Sequence, residues 1–235
     1  MYPVAILAGG VAMRMRPRTE SLPKALLPVA GQPFIAHQLA LLRDQHIGDV
    51  VLCVGHLGEP IREFVGDGRA WQIHVRYSFD GPDLLGTGGA LRHALPLLGD
   101  VFFVLYGDSY LRCDFASVAR AFEMSNRSGL MTVYRNDDAL APSNAVLDAG
   151  RIVRYDKGSP SPGMRHIDYG LSVLSAHAVA AYPEGARFDL SRIHQDLAAA
   201  GQLAGFEVTE RFFEIGSPEG LRETEALLEQ LKASR

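Results

Sequence analysis

Two glycines and two basic residues near the N-terminus have the composition of a phosphate-binding loop. Gly9 and Gly10 follow the apolar run Val4–Leu7, which predicts a buried strand, and the cationic residues Arg14 and Lys24 come soon after them. Backbone N–H groups at glycine can approach phosphate oxygens closely, and arginine and lysine supply the positive charge that a polyphosphate requires. The segment therefore predicts a site that binds a nucleotide.

The segment LAGGVAMRMRPRTESLPKALLPVAGQPFI, from Leu7 to Ile35, resembles the N-terminal signature of the sugar-1-phosphate nucleotidylyltransferases. That signature reads approximately LAGGxGTRLRPxTxxxPKxLLPVxGxPxI. Four later segments resemble further motifs of the same family, in the same order: LGTGGAL at Leu85–Leu91, YGD at Tyr106–Asp108, DK at Asp156–Lys157 and FEIGSPE at Phe213–Glu219. Matching segments in the family's order argue against a chance resemblance.

The resemblance implies an enzyme that joins a nucleoside triphosphate to a sugar 1-phosphate and releases a nucleotide sugar and pyrophosphate. Both substrates are anionic, so their mutual repulsion must be offset before an acceptor oxygen can reach the α-phosphorus. The acceptor phosphate needs no deprotonation at neutral pH. We therefore expect in-line attack assisted by positioning, by basic side chains and by Mg²⁺, without a covalent enzyme intermediate.

The resemblance also assigns roles to individual residues by their positions in the motifs. The expected catalytic residues are Arg14, Lys24 and Asp108, and the expected metal ligands are Asp108 and Glu214. The expected nucleotide-binding residues are Leu7, Ala8, Gly9, Gly10, Ala12, Met13, Asp83, Gly86, Thr87 and Gly88. The expected sugar-phosphate-binding residues are Asp156, Lys157, Asp168 and Gly170.

Four positions depart from the family's usual residues. Ala12 stands for a glycine of the phosphate loop, Glu214 for an aspartate, and Gly158 for the proline of the EKP motif. Asp168 stands for an asparagine, and a carboxylate there could accept hydrogen bonds from two adjacent sugar hydroxyls. Glu214 extends one methylene further, which could make its contact with a metal water-mediated. A methyl group at Ala12 keeps a second class open, a catalytically weak regulatory subunit that binds a nucleotide sugar.

Several substrate pairs remain compatible with the sequence. The run of motifs favours GTP with D-glycero-D-manno-heptose 1-phosphate or mannose 1-phosphate. A uridylyltransferase for a hexose or amino-sugar 1-phosphate and a cytidylyltransferase are the alternatives, because a base-binding loop that uses backbone groups does not reveal the base from sequence. The glycines from Gly86 to Gly89 would suit the close approach of a flat ring.

Composition limits the other partners. The formal net charge of −4 gives no positive excess for nucleic acid or an anionic membrane. No apolar run reaches the roughly 18 residues that a membrane helix needs, and the chain enters its first predicted strand without a cleavable leader pattern. We expect a cytoplasmic protein whose partners are its two substrates, with homo-oligomerisation left open. Cys53 and Cys113 lack metal-ligand spacing and are expected to be buried, unreactive thiols.

Strands and helices alternate along the first half of the chain. The strands are predicted at Val4–Leu7, Val50–Val54, Ile73–Tyr77, Val101–Tyr106 and Leu130–Tyr134. The helices between them are predicted at Ile35–Gln45, Glu59–Val65, Gly88–Leu97 and Phe115–Ser125. This order is typical of parallel strands joined by right-handed crossovers.

The second half is predicted to contain shorter strands and two helices. The strands are Ala145–Leu147, Arg151–Tyr155, Asp168–Leu174 and Leu203–Val208, and the helices are Leu190–Ala200 and Pro218–Leu231. The prediction is an α/β fold: a Rossmann-like, three-layer nucleotide-diphospho-sugar transferase fold with a mainly parallel sheet and a small sugar-binding β subregion. A single domain over 1–235 is expected, with a nucleotide-binding half at about 1–135 and a sugar-phosphate-binding half with the C-terminal helix at about 136–235.

Overall fold

The computed structural model describes residues 1–10, 13–15, 17–159 and 161–233. The strands are β1 (Val4–Leu7), β2 (Pro28–Val29), β3 (Gln32–Pro33), β4 (Asp49–Val54), β5 (His74–Phe79), β6 (Val101–Tyr106), β7 (Ser109–Tyr110), β8 (Gly129–Arg135), β9 (Ala145–Asp148), β10 (Arg151–Tyr155), β11 (His166–Ser175), β12 (Leu203–Val208) and β13 (Phe213–Glu214). The α-helices are α1 (Phe34–Asp44), α2 (Gly58–Val65), α3 (Gly86–Ala94), α4 (Phe115–Ser125), α5 (Ala176–Ala180), α6 (Leu190–Ala199) and α7 (Pro218–Ala233). Short 3₁₀ turns occupy Met13–Met15, Lys24–Leu26, Arg69–Trp71 and Leu95–Leu97.

A nine-stranded sheet with the order β5-β4-β1-β6-β11-β8-β12-β10-β9 forms the centre of the described chain. Strands β5, β4, β1 and β6 are parallel neighbours. Strand–helix–strand connections join them, as the alternation of apolar runs predicts. Two 2-stranded sheets, β13-β7 and β2-β3, stand beside the main one.

The pairing of β8 differs from the expected parallel continuation. Strand β11 lies between β6 and β8 and is antiparallel to both. All of its residues except the two terminal ones are buried. A strand that is apolar on both faces fits any buried position, so local periodicity cannot show that it inserts here. The strands of the second half therefore extend the same sheet.

Helices cover both faces of the sheet. On β1, Val4 and Ile6 belong to an apolar core with residues of α1, α2 and α4, whereas Ala5 and Leu7 belong to a second core with residues of α3 and α6. Alternate side chains of a strand point to opposite faces, so one fully buried strand serves both cores. The result is the three-layer α/β fold that the sequence predicts.

The ends of the parallel strands converge on one edge of the sheet. Strand β1 leads to Gly9, β5 to Asp80 and β6 to Asp108. Open α/β sheets bind their ligands at this carboxyl edge. Among the described residues, no helix is long and apolar enough to cross a membrane.

Candidate functional site

A cavity of about 310 Å³ opens at the carboxyl edge of the parallel strands. Eight residues with a predicted role line it: Leu7, Ala8, Gly9, Gly10, Lys24, Gly86, Thr87 and Asp108. These residues come from four separate segments, which β1, β6 and the N-terminus of α3 bring together.

The glycine loop after β1 lies directly against a neighbouring loop. The Ala8 N–H donates to the carbonyl of Cys53, 2.8 Å away, and a side chain at Gly9 would meet the backbone nitrogen of Gly55. The space beside Gly10 is open. Gly9 is thus required by packing, whereas Gly10 leaves room for a ligand. Ala12, which was expected to bind the nucleotide, lies outside the described residues.

Lys24 and Asp108 form an ion pair at the cavity wall. The distance from Lys24 Nζ to Asp108 Oδ2 is 2.9 Å, and the two side chains are 19% and 29% exposed. Lys24 begins a 3₁₀ turn after Pro23, whose φ of −64° is the value that its ring imposes. Asp108 follows β6. The structure therefore brings together two residues that only the family resemblance connected.

Gln38 of α1 fixes the turn that carries Asp108. Its Nε2 donates to the carbonyl of Tyr106 at 3.1 Å and to that of Ser109 at 2.8 Å, so one buried amide spans the turn. No sequence pattern indicated this role, because a glutamine inside a helix does not reveal its distant partners.

Arg14, Asp108 and Glu214 meet around Gly216. A side-chain carbon at Gly216 would contact carboxylate oxygens of Asp108 and Glu214 and the guanidinium of Arg14. Pairing of β13 with β7 places Glu214 opposite Ser109. The Glu214 carboxylate accepts hydrogen bonds from the Gly216 N–H and the hydroxyl of Ser217. The longer side chain of Glu214 therefore turns back on its own loop.

The residues around Gly216 fit a magnesium ion. The described residues contain no group of three or more histidine, cysteine, aspartate or glutamate side chains arranged for a metal. Mg²⁺ is commonly held by one or two carboxylates together with phosphate oxygens and water, so two carboxylates beside a phosphate site are sufficient. A side-chain carbon built at Gly216 would clash with Glu214 Oε2 and would lie 3.2 Å from Asp108 Oδ2, so the two carboxylates lie close together at this glycine.

The glycines at the start of α3 are used mainly for packing. Side chains at Gly86 and Gly89 would strike the carbonyls of Phe188 and Ala186, and one at Gly88 would strike the Phe188 ring. The N–H groups of Gly88 and Gly89 donate to the Phe188 carbonyl at 3.0 and 3.2 Å. This arrangement differs from the expectation that these amides face a base, because a segment distant in sequence occupies them. Gly86 and Thr87 still line the cavity, but Gly88 does not.

Asp80, rather than Asp83, lines the cavity. Asp83 is exposed in the loop between β5 and α3, and its expected contact with base or ribose stays a prediction. The Leu85 N–H donates to Asp80 Oδ2 at 3.1 Å, and burial raises the pKa of Asp80. The sequence could have indicated Asp80 by its position directly after β5, because Asp108 was assigned from its similar position after β6.

Arg187 is a further cavity residue that the sequence did not indicate. It makes no ion pair or hydrogen bond with the described part of the chain, and it is exposed. The next residue, Phe188, donates its N–H to the Leu85 carbonyl at 3.0 Å. The contact of Phe188 with Leu85 and the α3 glycines thus places the Arg187 guanidinium, which has no partner among the described residues, at the cavity.

The predicted sugar-phosphate residues form a polar cluster behind Tyr106, whose side chain lines the cavity. Lys157 Nζ donates to the Tyr106 hydroxyl at 2.9 Å and lies 3.2 Å from Asp168 Oδ2. The Tyr155 hydroxyl donates to the same Asp168 oxygen at 2.9 Å. None of Asp156, Lys157, Asp168 and Gly170 lines the cavity itself.

Asp168 is a buried anion whose partners are protein groups. Its side chain is 3% exposed and also accepts the Gly170 N–H at 3.0 Å. Burial opposes ionisation, but the Lys157 ammonium and these hydrogen bonds hold the pKa of Asp168 below its usual value. For Lys157, burial is likewise outweighed by Asp168, so the pKa of Lys157 is raised. The protein itself therefore engages the Asp168 carboxylate, and its expected hydrogen bonds with sugar hydroxyls stay a prediction.

Two other predicted residues shape the loops around this cluster. Asp156 accepts the N–H groups of Gly158 and Ser159 at 2.9 and 3.0 Å, which closes a turn where the family has proline. Gly170 has φ of +100°, and a side chain there would contact Ser109. Each residue thus has a structural role at this edge.

The two cysteines match their predicted character. Both are buried, and burial raises the pKa of Cys53 and of Cys113 to about 12. A thiol with such a pKa is protonated at neutral pH and unreactive.

The chain is similar in sequence to several nucleotidyltransferases. The chain is 40% identical over 113 residues to N-acetylmuramate alpha-1-phosphate uridylyltransferase of Neisseria meningitidis serogroup B, covering 48% of this chain and 49% of that protein. It is 28% identical to the protein of the same name from Caulobacter vibrioides, covering 95% of both. D-glycero-alpha-D-manno-heptose 1-phosphate guanylyltransferase of Campylobacter jejuni is 31% identical over 113 residues, covering 48% of this chain and 50% of that protein. The chain thus spans about half the length of several relatives that it matches.

A solved structure shows the same fold. The crystal structure of HddC from Yersinia pseudotuberculosis complexed with GMP-PN superposes with a TM-score of 0.82 and 23% identity, covering 97% of this chain and 100% of the other. The family model described as nucleotidyl transferase matches residues 4–154. The chain therefore belongs to the nucleotidyl transferase family.

Proposed function

We propose that this protein is a sugar-1-phosphate nucleotidylyltransferase that transfers a nucleotidyl group from a nucleoside triphosphate to a sugar 1-phosphate. The observation that carries the proposal is the ion pair of Lys24 and Asp108, with Arg14 and Glu214 beside it, next to the Gly9–Gly10 loop. Basic groups and carboxylates at one edge suit a reaction between two phosphates.

The basic residues and the glycine loop would hold the triphosphate. The open space at Gly10 admits phosphate oxygens to the loop, and the Arg14 guanidinium provides a planar set of donors for them. Lys24 would leave Asp108 to contact the reacting phosphate. A Mg²⁺ ion held by Asp108 and Glu214 would neutralise negative charge on the phosphates as pyrophosphate departs. No side chain has to act as a base, because the acceptor phosphate is already ionised.

Asp80 is our candidate for contact with the base. An ionised carboxylate accepts hydrogen bonds only, and uracil and guanine both present an N–H group on their pairing edge. Cytosine and adenine present an amino N–H on the same edge, so a contact with Asp80 would orient the base without selecting UTP or GTP. Thr87 lines the same cavity and adds a hydroxyl that is hydrogen-bonded to Asp189 at 2.9 Å.

The acceptor would enter beside Tyr106 and the cluster of Lys157 and Asp168. We propose UTP and N-acetylmuramate α-1-phosphate as the first substrate pair, because the Caulobacter vibrioides relative with that name aligns with 95% of both chains. The acid group of N-acetylmuramate adds a negative charge to the acceptor. Arg187, which has no ion-pair partner among the described residues, lines the cavity and would receive this charge. Under this proposal, residues 1–135 supply the nucleotide side and residues 136–235 the acceptor side.

GTP with D-glycero-α-D-manno-heptose 1-phosphate is the second candidate. The order of the sequence motifs favours it, the Campylobacter jejuni relative carries that activity in its name, and the Yersinia pseudotuberculosis structure contains GMP-PN. The heptose carries no acid group, so with this substrate pair Arg187 would contact the phosphates instead.

Pyrophosphate release tests the proposal. The purified protein with Mg²⁺ is assayed with UTP, GTP, CTP, ATP and dTTP, each with N-acetylmuramate 1-phosphate, the heptose 1-phosphate, mannose 1-phosphate and glucose 1-phosphate. We expect rapid release with UTP and N-acetylmuramate 1-phosphate and at least tenfold slower release with the other pairs. Fastest release with GTP and the heptose phosphate would select the second candidate. Tight nucleotide-sugar binding without turnover of any pair would instead support the regulatory subunit.

A further inference from the structure

Tyr155 is a buried residue next to the acceptor cluster that no motif singles out. It ends β10, is 3% exposed, and directs its hydroxyl to Asp168 Oδ2. Lys157 approaches the same oxygen at 3.2 Å. Asp168 Oδ2 therefore has three partners: the Tyr155 hydroxyl, the Lys157 ammonium and, at 3.5 Å, the Tyr106 hydroxyl.

The position of Lys157 depends on this shared oxygen. Its side chain is 41% exposed, and its ammonium lies 4.7 Å from the centre of the Tyr106 ring and 5.8 Å from that of the Tyr155 ring. A lysine with this exposure would otherwise sample many rotamers, because its four-carbon stem is flexible. The Asp168 carboxylate and the rings of Tyr106 and Tyr155 therefore restrict the conformations of Lys157.

A contact with an acceptor phosphate would draw Lys157 away from Asp168. The buried Asp168 carboxylate would then lose its only close cation among the described residues, which is costly in a poorly solvated place. The Tyr155 hydroxyl and the Gly170 N–H remain bonded to it after Lys157 moves. A hydroxyl donor on the inner side therefore lowers the cost of releasing the lysine.

We propose that Tyr155 is a positioning residue for the acceptor phosphate, which acts through Asp168 on Lys157. The proposal rests on the proposed function for the identity of the acceptor, but the geometry on which it depends does not.

Kinetics of Tyr155→Phe, Asp168→Asn, the double variant and Tyr169→Phe test the proposal. Tyr155→Phe should raise the KM for N-acetylmuramate 1-phosphate about tenfold, the effect of one hydrogen bond to a charged group, with changes below twofold in kcat and in the KM for UTP. In an Asp168→Asn background the same substitution should change no parameter more than twofold, because the charged partner is gone. Tyr169→Phe is the control, since Tyr169 is 1% exposed and its hydroxyl bonds neither Asp168 nor Lys157. Equal effects of Tyr155→Phe with and without Asp168 would overturn the proposal.

A spectroscopic measurement tests the role of Tyr155 without requiring that the protein turn over any substrate. The chain has three lysines, Lys24, Lys157 and Lys232, so selective ¹⁵N labelling of lysine gives three side-chain Nζ signals, detected through the Cε protons. The charged groups around Lys157 are Asp168 and Asp189, with Tyr106, Tyr155 and the neutral His194 nearby. Tyr155→Phe should shift the Lys157 signal alone, and Tyr169→Phe should shift none.

The same spectra can be recorded with inorganic phosphate as the probe. We expect phosphate to shift the Lys157 signal at lower concentration in the wild type than in Tyr155→Phe. An unchanged Lys157 signal in Tyr155→Phe would overturn the inference even if the enzyme is active. Turnover failing with every substrate pair, together with a shifted Lys157 signal, would reject the proposed function and leave the inference standing. If Tyr155→Phe does not fold, Asp168→Asn must shift the Lys157 signal without shifting that of Lys24.

Discussion

The Lys24 ammonium lies 2.9 Å from Asp108 although 84 residues separate them in the sequence. The ion pair holds both side chains at the cavity. The Lys24 ammonium suits a phosphate there, and the Asp108 carboxylate suits a metal ion. A second lysine, Lys157, is held in the same manner by Asp168. Two of the basic residues that we assign to phosphates, Lys24 and Lys157, are therefore each positioned by a carboxylate.

Asp108→Asn should reduce turnover at least about 100-fold, because the amide keeps the shape but loses the charge that holds Lys24 and that Mg²⁺ would need. Pyrophosphate release measures the loss, and circular dichroism should show an unchanged fold. Asp148→Asn, at the exposed end of β9, is the matched control and should retain activity. Activity of Asp108→Asn within threefold of the wild type would remove Asp108 from the mechanism.

Arg14→Ala and Lys24→Ala should each cost about 2–4 kcal/mol of transition-state stabilisation, or roughly 30- to 1,000-fold in kcat/KM. The reason is that each would lose a charged donor aimed at phosphate. Arg69→Ala provides the control, because the side chain of Arg69 is 91% exposed and far from the carboxyl edge. Losses below threefold in both test variants would show that these residues do not act on the reacting phosphates.

Gly10→Ala and Gly89→Ala should separate ligand binding from folding. A methyl group at Gly10 meets nothing in the free protein, so stability should stay unchanged while triphosphate binding weakens by about tenfold through lost approach to the loop. A methyl group at Gly89 would strike the Ala186 carbonyl and should lower the free energy of unfolding by about 2 kcal/mol. Calorimetric titration and urea denaturation measure the two effects. The assignment of Gly10 to the ligand would be wrong if both variants changed stability alone.

His194 should make stability depend on pH. It is fully buried, and burial lowers its pKa to about 4. The unfolded chain binds the proton near pH 6.5, so this contribution to stability is complete above about pH 6.5 and is lost as the pH falls toward 4, by at most about 3 kcal/mol. Urea denaturation of His194→Gln from pH 4.5 to 7 should show a weaker dependence on pH than the wild type. His177→Gln, an exposed control, should match the wild type, and identical slopes for all three proteins would exclude His194 as a source.

Local sequence patterns predicted most of the secondary structure and the loop after β1. Strands such as β1 and β6 have the predicted bounds because they are short apolar runs with clear ends. The family motifs also singled out Lys24 and Asp108 as expected site residues, and the structure brings them together as an ion pair. These features depend on residues that are close in sequence or that belong to one recognisable signature.

Long-range contacts could not be predicted in this way. The insertion of β11 between β6 and β8 depends on pairing across distant segments. The placement of Arg187 depends on how the Phe188 segment packs against the α3 glycines. Asp80 could have been predicted from its position after β5. Its neighbour Asp83 lies nearer the glycine motif and was therefore the residue assigned to nucleotide binding. The partners of Asp168 could not be predicted for the same reason. Tyr155 at the end of β10 and Lys157 after it reach Asp168 on β11 only in the folded chain.

Direct detection of the product tests the central claim most directly. The protein is incubated with UTP, N-acetylmuramate 1-phosphate and Mg²⁺, and ³¹P NMR follows the phosphorus signals, with Asp108→Asn in parallel. We predict that the wild type forms pyrophosphate and a sugar-linked diphosphate in equal amounts and that Asp108→Asn forms neither. Absence of any nucleotide sugar from the wild type with this pair, and with GTP and the heptose 1-phosphate, would contradict the account.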